Sequence, residues 1–341
     1  MLRTDRTKPL QLRTNSRKLC SIVSGFVAVC FGMQAPRATD PPRRGAAKLL
    51  VAAALSAVYI IWGSTYLAMR IALEGFPPFF MGGIRFLVAG TLLYSALKLR
   101  GAMTPTFEQW RSSSYVGVLL LLLGNGFVAV AEHHGVSSAV AATVVATMPL
   151  WMVFFGTLWG ERPAPRDIIG LLIGFSGVLV LRAGGSFAAP LLGIVSIMVS
   201  PAAWALGSLW SRRLPMPAGA MSTAAQMLCG GAAMLLTGLA RGETWPTSPP
   251  ANAVISLLYL VFFGSIVAFS AYGYLLRHVR PALATSYAYV NPVVALLLGT
   301  VLGGERFTLS HGLACALTVT GVLVVVSRRA APSPGSVSTN R

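Results

Sequence analysis

Val136 to Arg162 reads VSSAVAATVVATMPLWMVFFGTLWGER, and Arg280 to Arg306 reads RPALATSYAYVNPVVALLLGTVLGGER. Each is an apolar run of helical length with a proline inside it (Pro149, Pro292), two glycines four apart (Gly156 and Gly160; Gly299 and Gly303) and a closing Gly-Glu-Arg. Such self-similarity marks an internal repeat. Downstream, Gly177-Val178-Leu179-Val180 answers to Gly321-Val322-Leu323-Val324 once an extra glycine in the second copy is allowed. Upstream, Trp62 with Arg70 matches Trp204 with Arg212 at equal spacing. The chain divides into a first copy over 48–182 and a second over 183–329, with flanking segments 1–47 and 330–341.

Composition decides what kind of body the repeat builds. Of 341 residues, 55% are hydrophobic and 11% charged, with mean hydropathy +0.70. A soluble core of that make-up would leave too little polar surface to stay in water, so the class is an all-α polytopic membrane protein. A net charge of +18 would point a soluble protein towards nucleic acid. Here Lys and Arg sit in short loops between apolar runs, where they set topology, and no nucleic-acid partner is expected. Cys20, Cys30, Cys229 and Cys315 show neither metal nor disulfide spacing, and no cofactor is implied.

Ten apolar segments follow from Leu49 onward, at about 49–70, 77–97, 113–132, 136–159, 167–182, 189–211, 218–240, 252–276, 281–303 and 308–327. Each is near the ~20 residues that cross ~30 Å of hydrocarbon. An N-terminus in the cytoplasm gathers most loop cations inside, including Arg43, Arg44, Lys98, Arg111, Arg162, Arg212 and Arg277, and leaves Arg182, Arg241 and Arg306 outside. Both termini are then cytoplasmic. Five spans per copy is an odd number, so the second copy enters the membrane upside down, as the inverted repeats of many secondary transporters do. Residues 1–47 are basic, with an apolar run from Leu19 to Met33 too short for a span. They read as a disordered extension or as sequence upstream of a true start at Met33. The tail 330–341 reads as cytoplasmic.

Four motifs carry a family resemblance: Tyr59-Ile60-Ile61-Trp62-Gly63-Ser64-Thr65-Tyr66; Gly83-Ile84-Arg85-Phe86; Gly124-Asn125-Gly126 leading to Ala131-Glu132-His133; and the paired Gly-Glu-Arg ends. With them the chain resembles the EamA-type permeases of the drug/metabolite transporter superfamily, nearest to their YedA-like exporter branch, over Lys48 to Arg329. The resemblance implies a ten-helix fold of two repeats, a central cavity lined mainly by helices 1, 3, 4, 6, 8 and 9, and export of small metabolites or drugs.

The residues themselves nominate a site. Tyr59, Trp62 and Tyr66 share a face of the first helix; Thr143, Thr147 and Trp151 share one on the fourth; Ser286 and Tyr289 share one on the ninth, near Asn291. With Asn125 of the third helix, a set of Trp62, Tyr66, Asn125, Thr147, Trp151, Ser286, Tyr289 and Asn291 would make an aromatic, hydrogen-bonding site for a small solute, if it converges. Ordinary packing is the alternative for each. Glu132 is the acid whose position best fits the bundle interior, either as a proton-coupling group or as the partner of Arg70 in an outer gate. Arg85 must find an acid, a carbonyl or a ligand; structural pairing is favoured, because the second helix is not expected to reach the cavity. Pro149 and Pro292 read as paired hinges. The glycine pairs, and Gly170 with Gly174, read as close packing.

No nucleotide-binding G-x-x-x-x-G-K-[ST] and no hydrolase motif occurs. The reading is a transporter, not an enzyme, in a bacterial inner membrane, exporting a small molecule by alternating access with protons as the candidate coupling ion. The alternatives are an uptake permease, or an intramembrane enzyme acting on a lipid or sugar.

Overall fold

Proline and glycine punctuate the chain into helices, several of which start directly after a proline. In the computed structural model, residues 44–160, 162–183, 189–279, 283, 286–306 and 308–326 are described. The N-terminal extension, the C-terminal tail and Glu161 of the first Gly-Glu-Arg lie outside them.

Ten helical stretches make up these residues: α1 (Arg44–Ala72), α2 (Pro78–Leu99), α3 (Phe107–His133), α4 (Ser138–Trp159), α5 (Pro165–Ala183), α6 (Leu191–Ser211), α7 (Ala220–Ala240), α8 (251–278), α9 (Tyr287–Val301) and α10 (Leu309–Val326). Seven of them, α1 to α4 and α6 to α8, are long and apolar enough to cross a membrane by length and composition; the apolar parts of α9 and α10 are shorter. Prolines Pro77, Pro190 and Pro250 stand at the N-caps of α2, α6 and α8, where the fixed φ and missing N–H cost nothing. Thr106 and Gln109 close a capping box on α3.

Three of these helices are not uniform. The middle of α3, Val118–Gly126, is π-helical, and so is the middle of α8, Leu260–Val267. In each, a polar side chain donates to the carbonyl five residues back, Asn125 to Leu120 at 3.4 Å and Ser265 to Leu260 at 3.0 Å. That is the carbonyl spacing of a π turn. The helix α4 breaks at Ala146-Thr147, just ahead of Pro149, and resumes at Met148. The corresponding Pro292 instead lies inside α9, which begins at Tyr287. The two prolines therefore shape their helices differently.

Packing follows a two-fold pattern. The pairs α2 with α7 and α5 with α10 lie side by side, while α1 packs on α8 and α9, and α6 on α3 and α4. Lipid tails are as apolar as leucine, so these contacts are driven by close fit. At the α5–α10 crossing a Cβ added to Gly321 would sit 2.5 Å from the Gly174 nitrogen and 2.6 Å from the Gly170 oxygen. Gly170 and Gly174 are thus packing glycines. Gly299 is not: what fills its missing side chain is the carboxylate of Glu305, 2.7 Å from an added Cβ. Leu172, Leu179, Leu236, Phe262 and Leu297 are exposed along the outer faces, where hydrocarbon is their natural solvent.

Candidate functional site

Between α1, α3, α4 and α9 the backbone leaves a cavity. It has about 70 Å³ of room for the centres of water-sized molecules, enough for several waters. From α1 come Trp62, Thr65, Tyr66 and Met69; from α3, Asn125 and Val128; from α4, Ala142, Val145, Ala146 and Met148. The C-terminal half adds Trp204 of α6, Phe269 of α8, and Tyr287, Ala288 and Asn291 of α9. Arg85 of α2 completes the wall.

The two tryptophans are placed by matching contacts. Trp62 Nε1 donates to the Gly264 oxygen at 3.3 Å, and the Trp204 ring covers Gly124, where an added Cβ would lie 3.0 Å from it. Each glycine immediately precedes the polar residue of its π segment. Trp62 also meets Phe269, Tyr272 and Tyr287 with ring centroids 5.2, 5.2 and 4.7 Å away. The tilted and edge-on geometries are those that aromatic quadrupoles favour.

Of the eight residues that the sequence nominates, Trp62, Tyr66, Asn125 and Asn291 line this cavity. Thr147, Trp151, Ser286 and Tyr289 do not reach it. Thr147 is buried and donates to the Val144 oxygen at 2.6 Å, at the break in α4. Trp151 packs against Phe154, Phe155 and Phe175, between α4 and α5. The Ser286 hydroxyl bonds the Tyr59 hydroxyl and the Leu283 oxygen, and Tyr289 packs beside Leu150 and Val322. The physical reason lies in the backbone. A face drawn at 3.6 residues per turn through Thr143, Thr147 and Trp151 assumes an unbroken helix, and the turn at Ala146-Thr147 ends it.

Arg85 corrects the expectation for the second helix. Its side chain is 3% exposed, its Nε donates to Ser265 Oγ at 3.0 Å, and its guanidinium carbon lies 4.6 Å from the Phe86 ring centre. It therefore stands at the junction of α2 with the α8 π segment and faces the cavity.

A second correction concerns Arg70. Its partner is Glu305, at 2.6 Å, not Glu132. The same Glu305 carboxylate accepts from the backbone N–H groups of Ser138 and Ala139 at 2.9 and 3.4 Å, so one acid ties the end of α1 to the start of α4. Free N–H groups at a helix start favour such an anion. Glu243 does the same for α2, accepting from Phe79 and Phe80. Glu132 lies within electrostatic reach of Glu305, Arg70 and Tyr66. It is buried, and neither oxygen has a hydrogen bond of normal geometry; the nearby Ser138 hydroxyl is in the same condition. Sequence spacing had put Arg70 and Glu132 on one side of the membrane, but nothing in it weighed Glu305, across the repeat, against Glu132.

Comparison with known proteins adds context to this geometry. The EamA-like transporter family matches residues 48–183 and again 191–327. The chain is 44% identical to the uncharacterized inner membrane transporter YedA of Escherichia coli K12, over 80% of this chain and 89% of that protein. It is 23% identical to a probable amino-acid metabolite efflux pump of the same organism, over 79% and 92%. A solved crystal structure shares the fold, with a TM-score of 0.56 at 23% identity, covering 83% of this chain and 98% of the other.

Proposed function

The chain belongs to the EamA-like transporter family, and from that membership we propose that it exports a small metabolite or drug across the inner membrane by alternating access. The family makes it a membrane transporter rather than an enzyme. One observation carries the finer reading. The cavity is lined from both halves of the chain, and next to its Met69 wall one ion pair and two backbone hydrogen bonds, all made by Glu305, tie the end of α1 to the start of α4.

In this reading all ten helices cross the membrane, the second five inverted, with both termini cytoplasmic as the loop cations favour. The Glu305 end is then the outer end, and the conformation is closed to the outside. Trp62, Tyr66, Asn125 and Asn291 hold the solute. The breaks and bends at Pro149 and Pro292 let α4 and α9 swing with their halves. Glu132 is the coupling group. While Glu305 occupies Arg70, Glu132 carries a proton, because a buried unpaired carboxylate costs several kcal/mol. As solute enters from the cytoplasm that proton is released inward, and when the outer end opens and the solute has left, the emptied Glu132 carboxylate takes up the next proton from outside. Efflux rather than uptake agrees with the name of the efflux-pump relative.

The test is untargeted mass spectrometry of the medium from cells overexpressing the protein, against an empty vector and a Trp62→Ala/Asn291→Ala variant. A small set of solutes enriched outside only with the intact protein is the expected result. Enrichment inside the cells, or an identical set with the variant, overturns the reading.

A further inference from the structure

We infer that Arg85 is the anion-binding residue of the central cavity and that the solute it takes is a ring-bearing organic carboxylate with a hydroxyl or N–H donor. That this solute is exported rests on the transport reading above; that it binds here rests on geometry alone.

Four observations converge on this chemistry. Arg85 is a cation at membrane depth, 3% exposed, where a charge without a counter-charge is costly and needs a partner or a guest. Among the described residues it has no carboxylate partner: Glu305 is taken by Arg70, and the charged groups acting on Glu132 are Glu305 and Arg70. What it has is one neutral acceptor, Ser265 Oγ, on Nε. Ser265 is itself held by its own donation to Leu260 in the π segment. That clamp uses one N–H of the guanidinium and leaves the planar terminal edge for a carboxylate, which it matches two-pronged.

Second, Nη2 has room beside α8 only because its neighbour there is a glycine. Gly264 sits beside it, and a Cβ there would come within 3.2 Å of Nη2 and 3.1 Å of Thr65 Cγ2. Third, the cavity that Arg85 lines is walled by the rings of Trp62, Tyr66, Trp204, Phe269 and Tyr287, which suit a flat ring. Fourth, the Asn291 Oδ1 is buried without a partner among the described residues. An acceptor in that condition calls for a donor on the guest.

The same inventory argues against a cationic drug. Among the described residues no Asp or Glu lines the cavity, and an ammonium group placed there would face Arg85. A neutral ring compound would leave the guanidinium without a counter-charge.

Three ligands share a ring and a hydroxyl and differ only in the group that Arg85 would meet: 4-hydroxyphenylacetate, 4-hydroxyphenylacetamide and tyramine. Binding of each to the purified full chain in lipid nanodiscs is measured by isothermal titration calorimetry. The carboxylate is expected to bind at least about tenfold more tightly than the amide or the amine, the usual margin for a charge-assisted hydrogen bond over a neutral one. Arg85→Gln is expected to erase that margin, and Arg85→Lys to keep part of it. Equal binding of the three ligands, no binding of the carboxylate, or a margin that survives Arg85→Gln each overturns the proposal. Should Arg85→Gln fail to fold, the ranking on the unaltered protein and the Lys variant decides. Efflux from loaded proteoliposomes separates this inference from the one before it. A carboxylate that binds with the expected ranking but does not cross leaves the site standing and sinks export. Efflux of some other solute, with no carboxylate binding, does the reverse.

Discussion

Glu305 shows how much one side chain can settle. It neutralises Arg70, fills the space left by Gly299 and caps α4, so the tie between α1 and α4 and a helix start depend on a single carboxylate. In the proposed mechanism its neighbour Glu132 carries the coupling proton, and that proposal has a numerical consequence. One unit of pH difference supplies about 1.4 kcal/mol per proton. A one-proton exchanger therefore builds roughly a tenfold solute ratio per unit at equilibrium. In vesicles the intact protein is expected to reach such a gradient-driven ratio, and Glu132→Gln, permanently neutral, to stop at a ratio near one. Full pH-driven accumulation by the variant would remove Glu132 from the mechanism. At this scale the sequence was half legible. Trp62, Tyr66, Asn125 and Asn291 stand out because polar and aromatic groups in an apolar run are conspicuous, and each lines the cavity. Arg85 was equally conspicuous, but where a long side chain ends depends on what packs beside it, here Ser265, 180 positions away.

Helices were the most legible elements, since hydrophobic length and proline punctuation are additive along the chain; the starts of α2, α6 and α8 fall where the prolines put them. Their internal irregularities were not legible. A π turn is one extra residue absorbed by the backbone, and neither Val118–Gly126 nor Leu260–Val267 differs in composition from an ordinary apolar helix. The turn at Ala146-Thr147 is equally silent, and it misdirected the expected face of α4. Irregular turns of this kind trade helix stability for the position of a group. Deleting Leu122, inside the first π segment, is therefore expected to yield a protein at least as resistant to thermal unfolding, with flux lower by about tenfold or more, as a binding group shifted by an ångström allows. A deletion that unfolds the protein, or one that transports normally, would show that the π segment is not a functional adjustment.

For the whole molecule, the halves are interlocked rather than side by side: α1 lies against α8 and α9, α6 against α3 and α4. Repeat symmetry was visible in the paired Gly-Glu-Arg runs, but which helix meets which was not, because all present similar apolar surfaces to one another. If the halves rock about the cavity, the outer closure must part in every cycle. Cysteines in place of Ser138 and Glu305, in a background without the four native ones, joined by a short reducible cross-linker, are expected to stop flux, and reductant to restore it. Undiminished flux in the joined protein would rule out movement at that seam. The interlocking also governs how the chain comes into being. Translation delivers α1 first, yet its neighbours α8 and α9 lie roughly 180 residues further on, a delay on the order of ten seconds or more at ordinary ribosomal speed. Through that interval the Trp62 face of α1 sits in lipid or against an insertion chaperone. A message cut short after the first repeat yields no half-transporter, only a set of helices still waiting for partners and open to membrane proteases.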